Sequence, residues 1–164
     1  MAVNPLNDEG KVGRVRGVDL DAHQGNGTAA VFHDWDWASI YDLYERDIFP
    51  ARKEPEDFPL PVGPGLTGTE YLGIVRDTLP GALDAVGPDL VIYNAGSDPI
   101  VDDPLARFRL TACDVAERDL LVVSTVRERG IPVAMVLSGG YSAGSWKIHA
   151  DAIEGLLTRF DGRS

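Results

Sequence analysis

Two rhythms of apolar positions run along this chain. Residues 12–20, 37–44, 89–95 and 132–138 are short apolar runs of strand length. The last two, Asp-Leu-Val-Ile-Tyr-Asn-Ala and Pro-Val-Ala-Met-Val-Leu-Ser, are continuous enough to be buried on both faces of a sheet. Between the runs the period lengthens. From Thr69, Tyr71, Ile74, Val75, Leu79, Leu83 and Val86 recur at helical spacing, and Trp146, His149, Ile153, Leu156, Leu157 and Phe160 line one face of a final helix. Residues 25–33 read as a short helix. Thr111 with Asp114 caps a helix running to Arg129, which Gly130 and Pro132 end. Pro80 kinks the helix from Thr69, and Gly87-Pro88 stops it. Residues 47–68, with prolines at 50, 55, 59, 61 and 64, read as one long irregular loop. Residues 1–11 are polar and read as a turn or the end of a preceding helix or linker.

The resulting order, β-α-β-α-β-α-β-α, predicts an α/β fold: one domain over residues 12–164, with a mostly parallel sheet and helices on its faces. Ligands of such sheets bind outside the carboxyl ends of the strands. Composition is that of a globular protein with a real core, 44% apolar and 25% charged over 164 residues. A net charge of −11 argues against a nucleic-acid backbone as partner and suits a cationic ligand. The single cysteine, Cys113, excludes an internal disulfide and a Cys-rich zinc site, and reads as helix packing. No run approaches the ~20 apolar residues of a membrane span, and the first residues lack a signal-peptide core. A cytoplasmic location is the default expectation, with no membrane partner.

The chemistry-bearing residues gather where the strands end. Asp19, Asp21 and His23 close the first strand, and spacing two places all three on one side of extended backbone. Asp98 follows the third strand and Tyr141 the fourth. Asp21, His23 and Asp98 form a three-ligand oxygen and nitrogen set of the kind that leaves a position open on a catalytic zinc. Asp19 lies deeper, where it would orient a neighbouring side chain or bind a second cation. Tyr141, on a Gly139-Gly140 turn, is placed to donate to a developing oxyanion. The plainer alternative is that these residues cap βα turns. A strand ending in Asp-x-Asp before Gly-Asn-Gly-Thr also superficially resembles Mg²⁺-dependent phosphotransferases, but His23 fits that hard-oxygen chemistry poorly. His33 is expected to be solvated at a helix end, and His149 to be a satisfied core histidine. Asp102 and Asp103 are expected to serve their own loop, while Trp35 and Trp37 either pack or line a rim.

Three spaced motifs carry a resemblance. Val18-Asp-Leu-Asp-Ala-His-Gln-Gly-Asn-Gly27 resembles the metal-binding motif of histone deacetylases and their bacterial relatives. Tyr93-Asn-Ala-Gly-Ser-Asp-Pro99 resembles the loop carrying the third zinc ligand, and Leu137-Ser-Gly-Gly-Tyr141 the tyrosine motif. Ile40-Tyr-Asp-Leu-Tyr44 with Ile48-Phe-Pro50 looks most like the class IV branch. The resemblance implies a three-layer arginase–deacetylase fold and a zinc-dependent lysine deacylase acting on an acyl-lysine protein or an acyl-polyamine. It implies Asp21, His23 and Asp98 as zinc ligands and Tyr141 as the group polarising the acyl carbonyl. Asp19, and with it Asp42, would serve a monovalent cation such as K⁺ or orient a catalytic histidine. Gly25 and Gly27, like Gly139 and Gly140, would let backbone pass close to the site.

The family also uses a His-His pair that lies a few tens of residues before the Asp-Leu-Asp motif. Only eighteen residues precede Asp19, and the three histidines, His23, His33 and His149, form no pair. The expectation is therefore the C-terminal portion of a deacetylase domain, its N-terminal strands missing or supplied by a second chain. The alternative is a non-catalytic metal- or ligand-binding remnant. An exposed apolar edge is expected on the first strand or its flanking helices.

Overall fold

A computed structural model describes residues 3–160 of the chain. The strand β1 (Val15–Asp19) lies at the centre of one sheet. On one side it pairs with β2 (Ala38–Glu45), which pairs with β3 (Phe58–Val62). On the other it pairs with β4 (Leu90–Asn94), which pairs with β5 (Val133–Val136). All four pairings are parallel, so all five strands end on the same side. The chain steps outward from β1 to β3, then returns through a long helix to β4 on the opposite flank. That reversal makes a switch point between the ends of β1 and β4, the usual ligand crevice of an open parallel sheet.

The helices are α1 (Val3–Asp8), α2 (Asn26–Phe32), α3 (Gly68–Val86), α4 (Ala112–Arg127) and α5 (Ser145–Phe160). Thr67 with Glu70, and Thr111 with Asp114, close full capping boxes on α3 and α4. The helix α3 continues through Pro80 and ends on Gly87 at φ 56°. Strand alternation divides the core in two. Val18, Tyr41 and Tyr93 face α3 and α4 in the larger cluster. Val15, Ala38 and Ile40 meet Ala29 and Phe32 of α2 in the smaller one, against which Trp35 and Trp37 pack, stacked with centroids 4.6 Å apart. The architecture is thus three-layered, with α2 as a thin outer layer. Among the described residues no helix is long and apolar enough to cross a membrane.

Four expectations are corrected. The stretch 47–68 is not wholly irregular, because it contains β3. Phe58, Leu60 and Val62 turn inward, while Pro59 and Pro61 are exposed. Proline has no N–H to donate, so it is tolerated on β3, whose far side has no strand partner among the described residues. The strand β5 is not buried on both faces: Ala134 and Val136 are exposed, since α2 does not reach that far across the sheet. The exposed apolar edge accordingly lies not on the first strand, which is central and buried throughout, but at β5 and α5. On α5, Ile148, His149 and Ala152 are buried, whereas Trp146, Ile153 and Leu157 face outward. Cys113 is exposed at the start of α4 instead of packing.

Candidate functional site

Beyond Asp19 the backbone of β1 leaves the sheet, still tied to β4 by the Leu20 N–H donating to the Asn94 carbonyl at 3.0 Å. Asp21 and His23 follow at once, and Asp98 reaches the same point from the end of β4. One ligand atom from each of Asp21, His23 and Asp98 lies within 4.8 Å of the others. His23 Nδ1 sits 3.1 Å from Asp21 Oδ1 and 2.9 Å from Asp98 Oδ2. Each carboxylate is fixed by other bonds. Ser138 Oγ and the Gly139 N–H donate to Asp21 Oδ2 at 2.9 and 2.8 Å, and the Ala22 N–H donates to Asp98 Oδ1 at 2.8 Å.

The electrostatics favour a cation. Asp19, Asp21 and Asp98 are all buried within this small region. Burial would raise Asp21, but hydrogen bonding with His23 and Asp98 and from Ser138 holds it well below the usual carboxylate range. Burial pushes Asp98 up to about 6 against the opposing pull of His23. His23, hydrogen-bonded to Asp21 and Asp98, is raised to about 10, so without a metal a proton supplies the positive charge. Two carboxylates and one imidazole nitrogen converging on one point match the donor chemistry of zinc.

Close packing shapes the surroundings. A Cβ on Gly139 would strike the Asp21 carboxylate and lie 2.7 Å from Asp98 Oδ2. One on Gly140, at φ 152°, would meet Ser97 Oγ, and one on Gly25 the Asp19 carboxylate. Gly27 is different: it has open space around it in the first turn of α2, so the expectation of close approach there is not met.

Asp19 lies beneath the group and accepts from Asn94 Nδ2 at 2.8 Å and from the Asp21 N–H at 3.1 Å. Burial pushes it up to about 7. Asp42, its register partner on β2, is fully buried and accepts from the Gly25 N–H at 2.7 Å, leaving its Oδ1 without a partner. Burial, then the nearby charge of Asp19, push Asp42 up to about 11.

The Tyr141 ring stands edge-on to His23, with centroids 6.0 Å apart, and the residue is 52% exposed. Its N–H donates to Asp103 Oδ2 at 2.8 Å, so Asp103 anchors the tyrosine turn as well as its own loop. His33 is exposed after α2. His149 is buried with Nδ1 unpartnered, contrary to the expectation of a satisfied histidine. Neither lies in the Asp21–His23–Asp98 group.

Three contributors escape sequence reasoning. Ser138 orients Asp21, and its place inside the tyrosine motif was the available signal. Gly96 lets Asp21 lie against its backbone, since a Cβ there would sit 2.8 Å from Asp21 Cα. Gln24 exchanges bonds with the Glu54 backbone at 2.8 and 2.9 Å, tying the 47–57 segment to the motif.

Fold and site together define a parallel α/β protein with two carboxylates and an imidazole gathered at its switch point, a group that could hold a metal ion. Residues 1–155 match the family model of the histone deacetylase domain, and the chain belongs to that family. It is 38% identical over 149 residues to histone deacetylase 2 of Arabidopsis thaliana, covering 89% of this chain and 38% of that protein. It is 29% identical over 143 residues to a histone deacetylase-like amidohydrolase of Pseudomonas aeruginosa, covering 80% of this chain and 38% of that one. The fold matches the HDA15 HD domain with a TM-score of 0.77 at 22% identity, covering 93% of this chain and 46% of that one. It also matches an acetylpolyamine aminohydrolase from Burkholderia pseudomallei with a TM-score of 0.76 at 22% identity, covering 91% and 46%. The chain thus spans less than half the length of these four proteins.

Proposed function

We propose that the chain carries the metal site of a zinc-dependent amidohydrolase that removes acyl groups from lysine side chains or polyamines, of the class IV type. The observation that carries this reading is the convergence of Asp21, His23 and Asp98 at the switch point. Zinc in such a site supplies a nucleophilic water at neutral pH and polarises a carbonyl. This chain's own residues do the rest. Ser138 and the Gly139 N–H hold Asp21 in its ligating orientation. Tyr141, partly exposed and edge-on to His23, donates its hydroxyl to the acyl oxygen as charge develops there. Asp19 and Asp42 form the floor, where a monovalent cation such as K⁺ would relieve their mutual repulsion. The net charge of −11 favours a cationic amine product or peptide.

A second reading concerns the proton. Among the described residues no histidine besides His23 belongs to the group, and His33 and His149 form no pair in the sequence. We infer that hydrolysis needs a further polypeptide, preceding this one or separate from it, that supplies the His pair. Support comes from β5, whose outer side has no strand partner among the described residues and whose residues Val136 and Leu137 are 44% and 55% exposed. A parallel sheet is stable when both faces and its edges are covered.

The test is hydrolysis of an acetyl-lysine reporter and an acetylated polyamine by the zinc-loaded chain. Hydrolysis by this chain alone, lost in Asp98→Ala, would support the first reading and overturn the second. Zinc uptake without hydrolysis, with activity appearing on addition of the N-terminal part of a deacetylase domain, would support both. Absence of zinc uptake would overturn the metal site.

A further inference from the structure

Arg118, on α4, heads the fully buried side chains by volume among the described residues, and nothing in the proposed chemistry uses it. Its Nη1 donates to two backbone carbonyls, Leu20 at 3.1 Å and Gly96 at 2.7 Å. Nε and Nη2 donate to Asp119 Oδ1 at 2.9 and 2.8 Å, and the Tyr93 hydroxyl donates to that same oxygen. The Tyr71 hydroxyl also donates to the Leu20 carbonyl, at 3.3 Å.

The two carbonyls are telling. Leu20 is bonded directly to Asp21, and Gly96 lies two residues before Asp98. Both lie just past the point where the β1–β4 register ends at Asp19 and Asn94. There the strands can no longer hold each other through a continued ladder, yet ligands from both must meet one ion. A guanidinium is a rigid, planar fork of donors, so bonds to two carbonyls fix the distance between them. Stability alone is a weak account of this residue. A buried ion pair gives little net stability over apolar residues of the same volume, and Asp119 Oδ2 is left without a partner.

We propose that Arg118 is a positioning residue of the metal centre: by bridging the Leu20 and Gly96 carbonyls it sets the spacing between the Asp21–His23 segment and the Asp98 segment. The inference rests on the metal reading above. Outer partners that orient ligands are worth roughly 10- to 100-fold in metal affinity.

Two variants of the whole chain test it. Arg118→Lys keeps the charge but loses the fork. Arg118→Met with Asp119→Asn removes the buried charges while keeping an acceptor for Tyr93. Co²⁺ affinity and the visible absorption of bound Co²⁺ are measured beside the far-ultraviolet circular dichroism of the metal-free proteins. The expected result is folded variants that bind Co²⁺ roughly 10- to 100-fold more weakly, with an altered absorption band. Folded variants with unchanged affinity and band would overturn the proposal. Failure of both variants to fold would assign Arg118 to the fold alone and overturn it equally. Absence of Co²⁺ uptake by the unaltered chain would instead overturn the metal site itself.

Discussion

His23 sits between two carboxylates that have no other cation, and this gives the metal-free chain a characteristic pH response. Its acidity is shifted from an ordinary 6.5 up to about 10 by hydrogen bonds to Asp21 and Asp98. The folded state holds that proton more tightly than the unfolded one, so the stabilisation is complete below pH 6.5 and is lost as pH rises to about 10. Asp42, raised to about 11 by burial, works in the same direction, because its ionisation is also resisted in the folded state. The melting temperature of the metal-free protein should therefore fall between pH 6.5 and 10. Zinc should flatten that fall, since the metal takes the place of the proton. Asp42→Asn, which does away with the proton that the folded state must keep on this buried carboxyl at pH 8, should raise metal-free stability at that pH by about 1–3 kcal/mol in urea unfolding.

The meeting of Asp21, His23 and Asp98 was legible because strand ends in an α/β order share one rim; the extended spacing-two argument did not carry it, since β1 ends at Asp19 and residues 21–23 bend. Ser138, Arg118 and Asp119 were hidden for a physical reason. A lone serine in a turn and an Arg-Asp pair on a helix have the composition of solvated surface, and only tertiary packing reveals what they hold.

At the level of elements, the two glycines flanking the start of α2 should behave oppositely. A methyl group at Gly25 meets the Asp19 carboxylate, whereas at Gly27 it meets nothing within 4 Å. Gly25→Ala should destabilise by about 1–3 kcal/mol, as overpacking does. Gly27→Ala should be neutral or stabilise by up to about 1 kcal/mol, because alanine favours the helix. Equilibrium denaturation of the two variants reads the difference. The helices α3 and α4 and the central strands follow from apolar period and caps. β3 did not, because five prolines in 47–68 outweighed the alternation of Phe58, Leu60 and Val62. Nor did the direction of α5: periodicity marks an apolar face without saying how much of it finds a neighbour. Met135, Leu137, Ile153 and Leu157 instead line an open groove of about 510 Å³ between β5 and α5.

For the whole molecule, that groove and the unpaired side of β5 form a single apolar region on a chain otherwise made repulsive by its −11 charge. Exposed patches of this kind mediate association. Sedimentation velocity should show concentration-dependent self-association that Leu157→Glu suppresses, with stability changed by no more than about 0.5 kcal/mol. The same region is where a complementary polypeptide would complete the sheet. Such a polypeptide should remove the self-association.

The central claim is that Asp21, His23 and Asp98 together hold one divalent metal, and zinc titration of the metal-free chain beside Asp98→Ala tests it most directly. The account predicts one equivalent of zinc bound by the unaltered chain, and an affinity reduced by more than roughly 100-fold in Asp98→Ala, beyond what loss of an outer partner causes. No uptake by the unaltered chain, or equal uptake by Asp98→Ala, would contradict it.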